Sequence, residues 1–383
     1  MQLSERRAAS GPATQAIPIP GPRPFGRFFL PGPTEVRPEV LEAMSRPMIG
    51  HRVPEMEELI GYLQPRLMRI FGTARPVYIS ASSATGLMEG AIRNGARRRV
   101  LSLVNGAFSE RFYRIALANG MEADLLEVEW GEAHTPEMLA DALRDGDYDA
   151  ITVVHSETST GALNPVRELA QVAHDHGDVA VLVDSVSGLA GAPLLADEWG
   201  LDFVLTGSQK SFALPPGLAF GVAQESILAR AESKGDRGIY FDFLEFERNI
   251  RSNQTPNTPA VSLLFAAAVQ VARIEAETIE GRWQRHAAMA ERLYAWVDEM
   301  AERGVTLRIL APEGYRSPTV TCIEPPEGWT GPRVVAAASQ MGFAVATGYG
   351  RLKEPTFRIG HMGDHTVEGL EALLVALTEV FTA

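Results

Sequence analysis

Lys210 stands just past an apolar run in FVLTGSQKSFALPPG (203–217), where a strand gives way to a loop closed by two prolines and a glycine. Three roles suit a lysine there: a solvated charge, a phosphate ligand, or an amine that bonds covalently to a carbonyl. Asp184 ends a second apolar run, VAVLVD (179–184). A carboxylate at the end of a buried strand needs a cation or hydrogen-bond donors, since isolated burial of charge is expensive. An N-cap role would also satisfy it. Between PVYIS (76–80) and a helical stretch lies ASSATG (81–86). Small residues there let backbone N–H groups approach an anion at a helix N-terminus, and Ser83 and Thr85 add hydroxyls. The same residues suit an ordinary N-cap. The segment has neither the G-x-G-x-x-G spacing of a dinucleotide site nor the lysine of a P-loop. Phe108, in NGAFSER after RVLSLV, fits core packing or stacking on a flat ligand. SETSTG (156–161), after ITVVH, gathers hydroxyls around Glu157 and reads on its own as a capped loop.

The elements that hold these side chains follow from periodicity. From about residue 50 to 280, short β-branched runs alternate with helix-length amphipathic stretches. The runs are PVYIS, RVLSLV (99–104), DAITVVH (149–155), VAVLVD and DFVLTG (202–207). Helices are predicted after the first three, with Gly120 and Gly177 as stops. Continuous apolar runs mark strands buried on both faces, hence α/β with a largely parallel sheet covered by helices. Ligands of such sheets bind beyond the carboxyl ends of the strands, where all the residues above stand. A long helical region (260–304) breaks the alternation, and the segments after it suggest a smaller α+β domain. The expected organisation is a tail over 1–25, proline-rich and aperiodic, then a segment over 26–45 tied to the small domain or a subunit interface. A large domain over 46–280 and a small domain over 281–383 follow.

Composition excludes several function classes. Lysine plus arginine number 35 and aspartate plus glutamate 48, so the net charge is −13, unsuited to nucleic acid or an anionic membrane surface. No run of 18 apolar residues predicts a membrane span. A single cysteine, Cys322, excludes an internal disulfide framework and a multi-cysteine zinc site. His174 and His176, at i and i+2 on a helix end, share no face and read as solvated rather than metal ligands. ARRR (96–99) reads as a charged helix end, not a nucleic-acid patch. Arg6 and Arg7 precede no apolar stretch, so no secretory signal is expected, and the expected compartment is the cytoplasm.

Taken together, one sheet offers an anion-friendly helix start, an aromatic, a hydroxyl cluster, a carboxylate and a lysine. These are the groups that pyridoxal 5′-phosphate requires for its phosphate, ring, pyridine nitrogen and aldehyde. In these segments the chain resembles the class V, fold type I aminotransferases, in particular the alanine–glyoxylate and serine–pyruvate group. The likeness is carried by LPGPTEV (30–36), ASSATGLMEGAI (81–92), NGAFSER (105–111), HSETSTGALNP (155–165), VDSVSG (183–188), GSQKSFALPPG (207–217), NTPAVSLL (257–264) and FRIGHMG (357–363). It runs from about residue 28 onward.

The resemblance implies that Lys210 forms the Schiff base and Asp184 pairs with the pyridine nitrogen. Phe108, where animal relatives often carry tryptophan, stacks on the ring, Val186 packs its other face, and Thr158 lies near the phenolic oxygen. Ser83, Ala84 through its N–H, Thr85 and Gln209 surround the phosphate. Relatives often have glycine at the position of Ala84. Asn257 and Thr258 resemble a pair that the neighbouring subunit contributes, which implies a homodimer with shared active sites. Arg358 matches the arginine that grips the substrate carboxylate, with Gly32 also at the substrate. His51 and Arg52, in GHRVPEM, match a motif of relatives that touches substrate or packs the subunit interface.

The expected activity is transfer of the amino group of alanine or serine to glyoxylate or pyruvate, with ping-pong kinetics. Aspartate or 2-aminoethylphosphonate as donor stays open, as does a lyase or desulfurase on the same cofactor. Against a desulfurase, Cys322 sits in an apolar strand, where thiols are inert. The intact Lys210, Asp184 and Arg358 argue against a catalytically silent binding protein. A nicotinamide dehydrogenase lacks its glycine fingerprint.

Overall fold

The computed structural model describes residues 24–382. The expected tail thus lies outside the described residues except for its last two, and Phe25 packs under Arg37, whose Cζ is 4.7 Å from its ring centroid.

The strands are β1 (Tyr78–Ser80), β2 (Arg99–Val104), β3 (Glu122–Glu127), β4 (Ala150–Val154), a short hairpin of β5 (Ser156–Glu157) and β6 (Ala162–Leu163), then β7 (Ala180–Asp184), β8 (Phe203–Gly207) and β9 (Ala219–Ala223). Seven of them form one sheet in the order β1-β9-β8-β7-β4-β2-β3. The pairs from β3 to β8 are parallel, and β9 runs antiparallel to both β8 and β1. β4, β7, β8 and β9 are buried throughout, as two-sided helix cover demands. The fold is α/β with a mostly parallel central sheet.

Two strands of the central sheet escaped the sequence reading, besides the short β5, β6 and the later strand at Arg308–Ile309. β3 is an edge strand whose charges (EADLLE) leave no apolar run. β9 (AFGVA) is short and contains Gly221, where a Cβ would press on Phe203. The long helical region is two helices, Val261–Glu277 and Ile279–Glu302, parted at Thr278, whose φ of 65° no helix can contain.

A second sheet, β10 (Arg308–Ile309), β11 (Thr321–Glu324), β12 (Ala346–Thr347) and β13 (Phe357–Ile359), has the order β10-β11-β13-β12 and is antiparallel. It shares a separate core with Leu293, Trp296, Leu373 and, from the other end of the chain, Phe29. The Phe29 N–H donates to the Ala344 carbonyl at 2.8 Å, and the Phe29 carbonyl accepts from Gly360 N–H at 2.9 Å. Residues 30–34 then leave this core and cross to the central sheet, where Thr34 N–H donates to Gln209 O at 2.9 Å.

The charge run at 97–99 is neutralised in place. Its three backbone N–H groups converge on the Asp149 carboxylate at 2.7, 2.8 and 2.8 Å, and its guanidinium groups pair with Asp178, Asp147 and Asp124. His174, expected to be merely solvated, instead pairs through Nε2 with Asp202 Oδ2 at 2.9 Å, a bond that raises its pKa. Among the described residues no metal-ligating cluster occurs and no helix is long and apolar enough to cross a membrane.

Candidate active site

β7 and β8 are neighbours, and their carboxyl ends deliver Asp184 and Lys210. Both side chains are buried. Burial pulls the Lys210 amine down to about 7; the charge of Arg358 adds to this, while Asp184 and Glu157 oppose it. Its Nζ donates to the Pro31 carbonyl. Gly32, at φ 113°, completes that cover: a Cβ there would overlap Cδ, Cε and Nζ of Lys210. Asp184 Oδ1 accepts from the Val186 N–H at 2.8 Å. Burial pushes its carboxyl up to about 7, the hydrogen bond opposes this, and Glu157 raises it further. The fold therefore brings a buried amine and a buried carboxyl to the same end of two neighbouring strands, each shifted toward neutrality by its burial.

Glu157 was read from sequence as part of a capped loop, and the helix it caps lies far away in the chain. Its carboxylate accepts from the N–H groups of Phe108 (3.2 Å), Ser109 (2.9 Å) and Ser159 (3.1 Å) and from the hydroxyls of Ser109 (3.0 Å) and Ser159 (2.6 Å). It thereby fills the N-terminus of helix Ala107–Ala118 and fixes Phe108, whose ring centroid is 5.7 Å from Lys210 Nζ. Val186 is half-buried beside Asp184. Thr158 is buried, with Oγ1 2.5 Å from Ser187 Oγ.

The helix Ala84–Gly95 starts differently. Ser83 occupies the N-cap position, yet its side chain makes no cap. Among the described residues the N–H groups of Ala84 and Thr85 have no acceptor, and only Gly86 N–H turns back, to Ser83 O at 3.0 Å. Ser83 is exposed; Thr85 and Gln209 are half-buried. Asn257 and Thr258 are exposed and border a small cleft with Ser80, Ala81 and Tyr240 of the same chain. Arg52 braces the segment before them, donating to Thr255 O at 2.8 Å and to Gln254 Oε1 at 3.2 Å.

Arg358, on β13, is buried without an acidic partner. Nε donates to Thr347 O and Nη1 to Thr158 O, both at 3.0 Å, while Nη2 has no partner among the described residues. A guanidinium fixed by carbonyls with an edge left over is suited to a carboxylate. Cys322 pairs with Arg358 across β11 and β13, and burial pushes its thiol up to about 11, far from a usable thiolate.

These residues fit pyridoxal phosphate. Unclaimed N–H groups at a helix start suit its phosphate, a buried carboxyl suits a ring nitrogen, and an amine made less basic by burial suits an aldehyde. Sequence reasoning missed the Pro31 carbonyl, Arg111 and Tyr349 at the mouth; the first has no side-chain signal at all.

The family model described as Aminotransferase class-V matches residues 93–348. An uncharacterized aminotransferase of Methanocaldococcus jannaschii is 38% identical over 342 residues, covering 88% of this chain and 87% of that protein. The serine–glyoxylate aminotransferase of Methylorubrum extorquens is 31% identical over 350 residues, covering 88% and 86%. The crystal structure of alanine–glyoxylate aminotransferase from Nostoc sp. superposes with a TM-score of 0.87 at 27% identity, covering 96% of this chain and 97% of that one.

Proposed function

The chain belongs to the class-V aminotransferase family, with a fold type I architecture and pyridoxal phosphate as cofactor, and from that premise we propose that it transfers the amino group of alanine or serine to glyoxylate or pyruvate. When bound, the cofactor supplies an aldehyde for an amine and an electron-poor ring that withdraws charge from the substrate Cα. Lys210 would hold the cofactor through that aldehyde, and its amine would be the general base for the substrate Cα proton. An amine held at about 7 is free to do both at neutral pH. Asp184 would pair with the ring nitrogen and favour its protonated form. Phe108 and Val186 would pack against the ring, and Thr158 would serve its phenolic oxygen. The N–H of Ala84, with Ser83, Thr85 and Gln209, would hold the phosphate.

Arg358 grips the substrate α-carboxylate through its open edge and thereby orients Cα, and Gly32 leaves the substrate room above Lys210. Asn257 and Thr258, exposed on this chain, complete the phosphate site of a second subunit, so the active form is a homodimer in the cytoplasm. Exposed Leu41, Met48 and Ile239 supply apolar surface for that pairing. Residues 46–280 form the cofactor domain and 281–383 the small domain, with 26–45 joining them.

The observation that carries this reading is the pair Lys210 and Asp184, both buried and both shifted to about 7 at the ends of adjacent strands. The purified protein should be yellow, and alanine or serine should bleach that colour until glyoxylate restores it. Lys210→Ala should abolish both the visible band and turnover. Normal turnover in that variant defeats the proposal.

A further inference from the structure

Tyr349 precedes the short turn Gly350–Leu352, is 39% exposed, and stands between the Lys210 site and an outer cavity. Its ring centroid lies 5.4 Å from that of Phe108 and 5.7 Å from Arg358 Cζ, so one side belongs to the site around Lys210. Its hydroxyl accepts from Arg111 Nη2 at 3.3 Å. Beyond it opens a cavity of about 500 Å³ lined by Tyr349 itself, Arg111, Arg114, Trp130 and Arg351, with Glu110 and Glu127 as its acids. Arg114 is paired with Glu110, and Arg351 lies over Trp130 at 4.2 Å. Arg111 lies over the Phe108 ring at 4.9 Å and forms no ion pair among the described residues.

The geometry points to Tyr349 as the partition that limits the amino donor to a short side chain, with a cationic cavity behind it able to take a longer, anionic one. The inference rests on the amino-transfer reading above and names the residue that sets its substrate class. The ring is held at two points of helix Ala107–Ala118, by aromatic contact with Phe108 and by Arg111 at its hydroxyl. Removing the ring joins the two spaces, and Arg111 then faces whatever passes Arg358. A distal carboxylate would meet that guanidinium in the geometry the pair prefers.

The test compares kcat/KM for L-alanine, L-norvaline and L-glutamate in the wild-type holoenzyme, Tyr349→Ala and Tyr349→Phe. Tyr349→Ala should raise the glutamate-to-alanine ratio roughly tenfold or more, the scale of a few methylenes gained in a pocket. The norvaline ratio should rise less, because Arg111 adds nothing for an apolar tip. Tyr349→Phe keeps the ring and should hold both ratios within about twofold. If Tyr349→Ala loses the visible cofactor band, Tyr349→Val carries the same comparison. A wild type that converts alanine, combined with unchanged ratios in the variants, overturns the partition and leaves amino transfer intact. A wild type that converts none of the amino acids, serine included, defeats the amino-transfer reading and this inference with it.

Discussion

Two helices begin at the carboxyl ends of strands of the central sheet, one after β1 and one after β2, and they treat their first turns in opposite ways. Helix Ala107–Ala118 receives an anion from its own chain: Glu157 accepts the N–H groups of Phe108 and Ser109. Helix Ala84–Gly95 receives none, although Ser83 stands where a cap belongs. The positive end of each helix attracts negative charge equally well. What differs is whether the fold supplies that charge or leaves it to a ligand. The filled start immobilises the aromatic that flanks Lys210; the open start is where we propose the phosphate binds.

The largest effect expected from breaking this contrast is at Glu157. Glu157→Ala strands buried donors and should lower stability by roughly 3–5 kcal/mol, read as a shifted urea midpoint. Glu157→Gln, which keeps one accepting oxygen, should cost about half as much. Filling the open start comes next: Ser83→Asp places a carboxylate at the proposed phosphate site. It should weaken pyridoxal phosphate binding by about two orders of magnitude, measured by titrating apoprotein. Unchanged affinity would put the phosphate elsewhere.

A third expectation concerns the amine between the two helices. Only neutral Lys210 attacks an aldehyde, and its pKa is lowered to about 7. Below that value each pH unit should slow cofactor capture about tenfold, and above it the rate should level off. Stopped-flow absorbance reads this directly, and a rate still climbing toward pH 10 would mean an ordinary exposed lysine. The smallest effect sharpens the same contrast. Inorganic phosphate at ten times its Kd should raise the apoprotein Tm by about 2 °C, and Ser83→Asp should erase the gain.

Much of this was legible in the residues, for definite reasons. Lys210 and Asp184 each follow an apolar run, so their position at a strand end is written locally. The same holds for Ser83 and Phe108. Glu157 was visible as a residue but not as a cap, because its partners lie 48 and 49 residues away and no spacing rule links them. Strand β3 hid behind the charges of an edge, and β9 behind its small residues. The division at Thr278 escaped because helical periodicity continues on both sides of one left-handed residue. Patterns report what repeats along the chain; a cap across the sheet and a single backbone reversal do not repeat.

Phe29 pairs with residues 344 and 360, while Pro31 and Gly32, just beyond it, cover the Lys210 amine. During translation the strap over that amine is made early and can reach Gln209 through Thr34 once the central sheet forms, but its Phe29 end finds anchors only after more than three hundred further residues have been added. A nascent chain with that sheet assembled holds the strap by one end, and the cover over Lys210 is pinned at both only when the second sheet arrives.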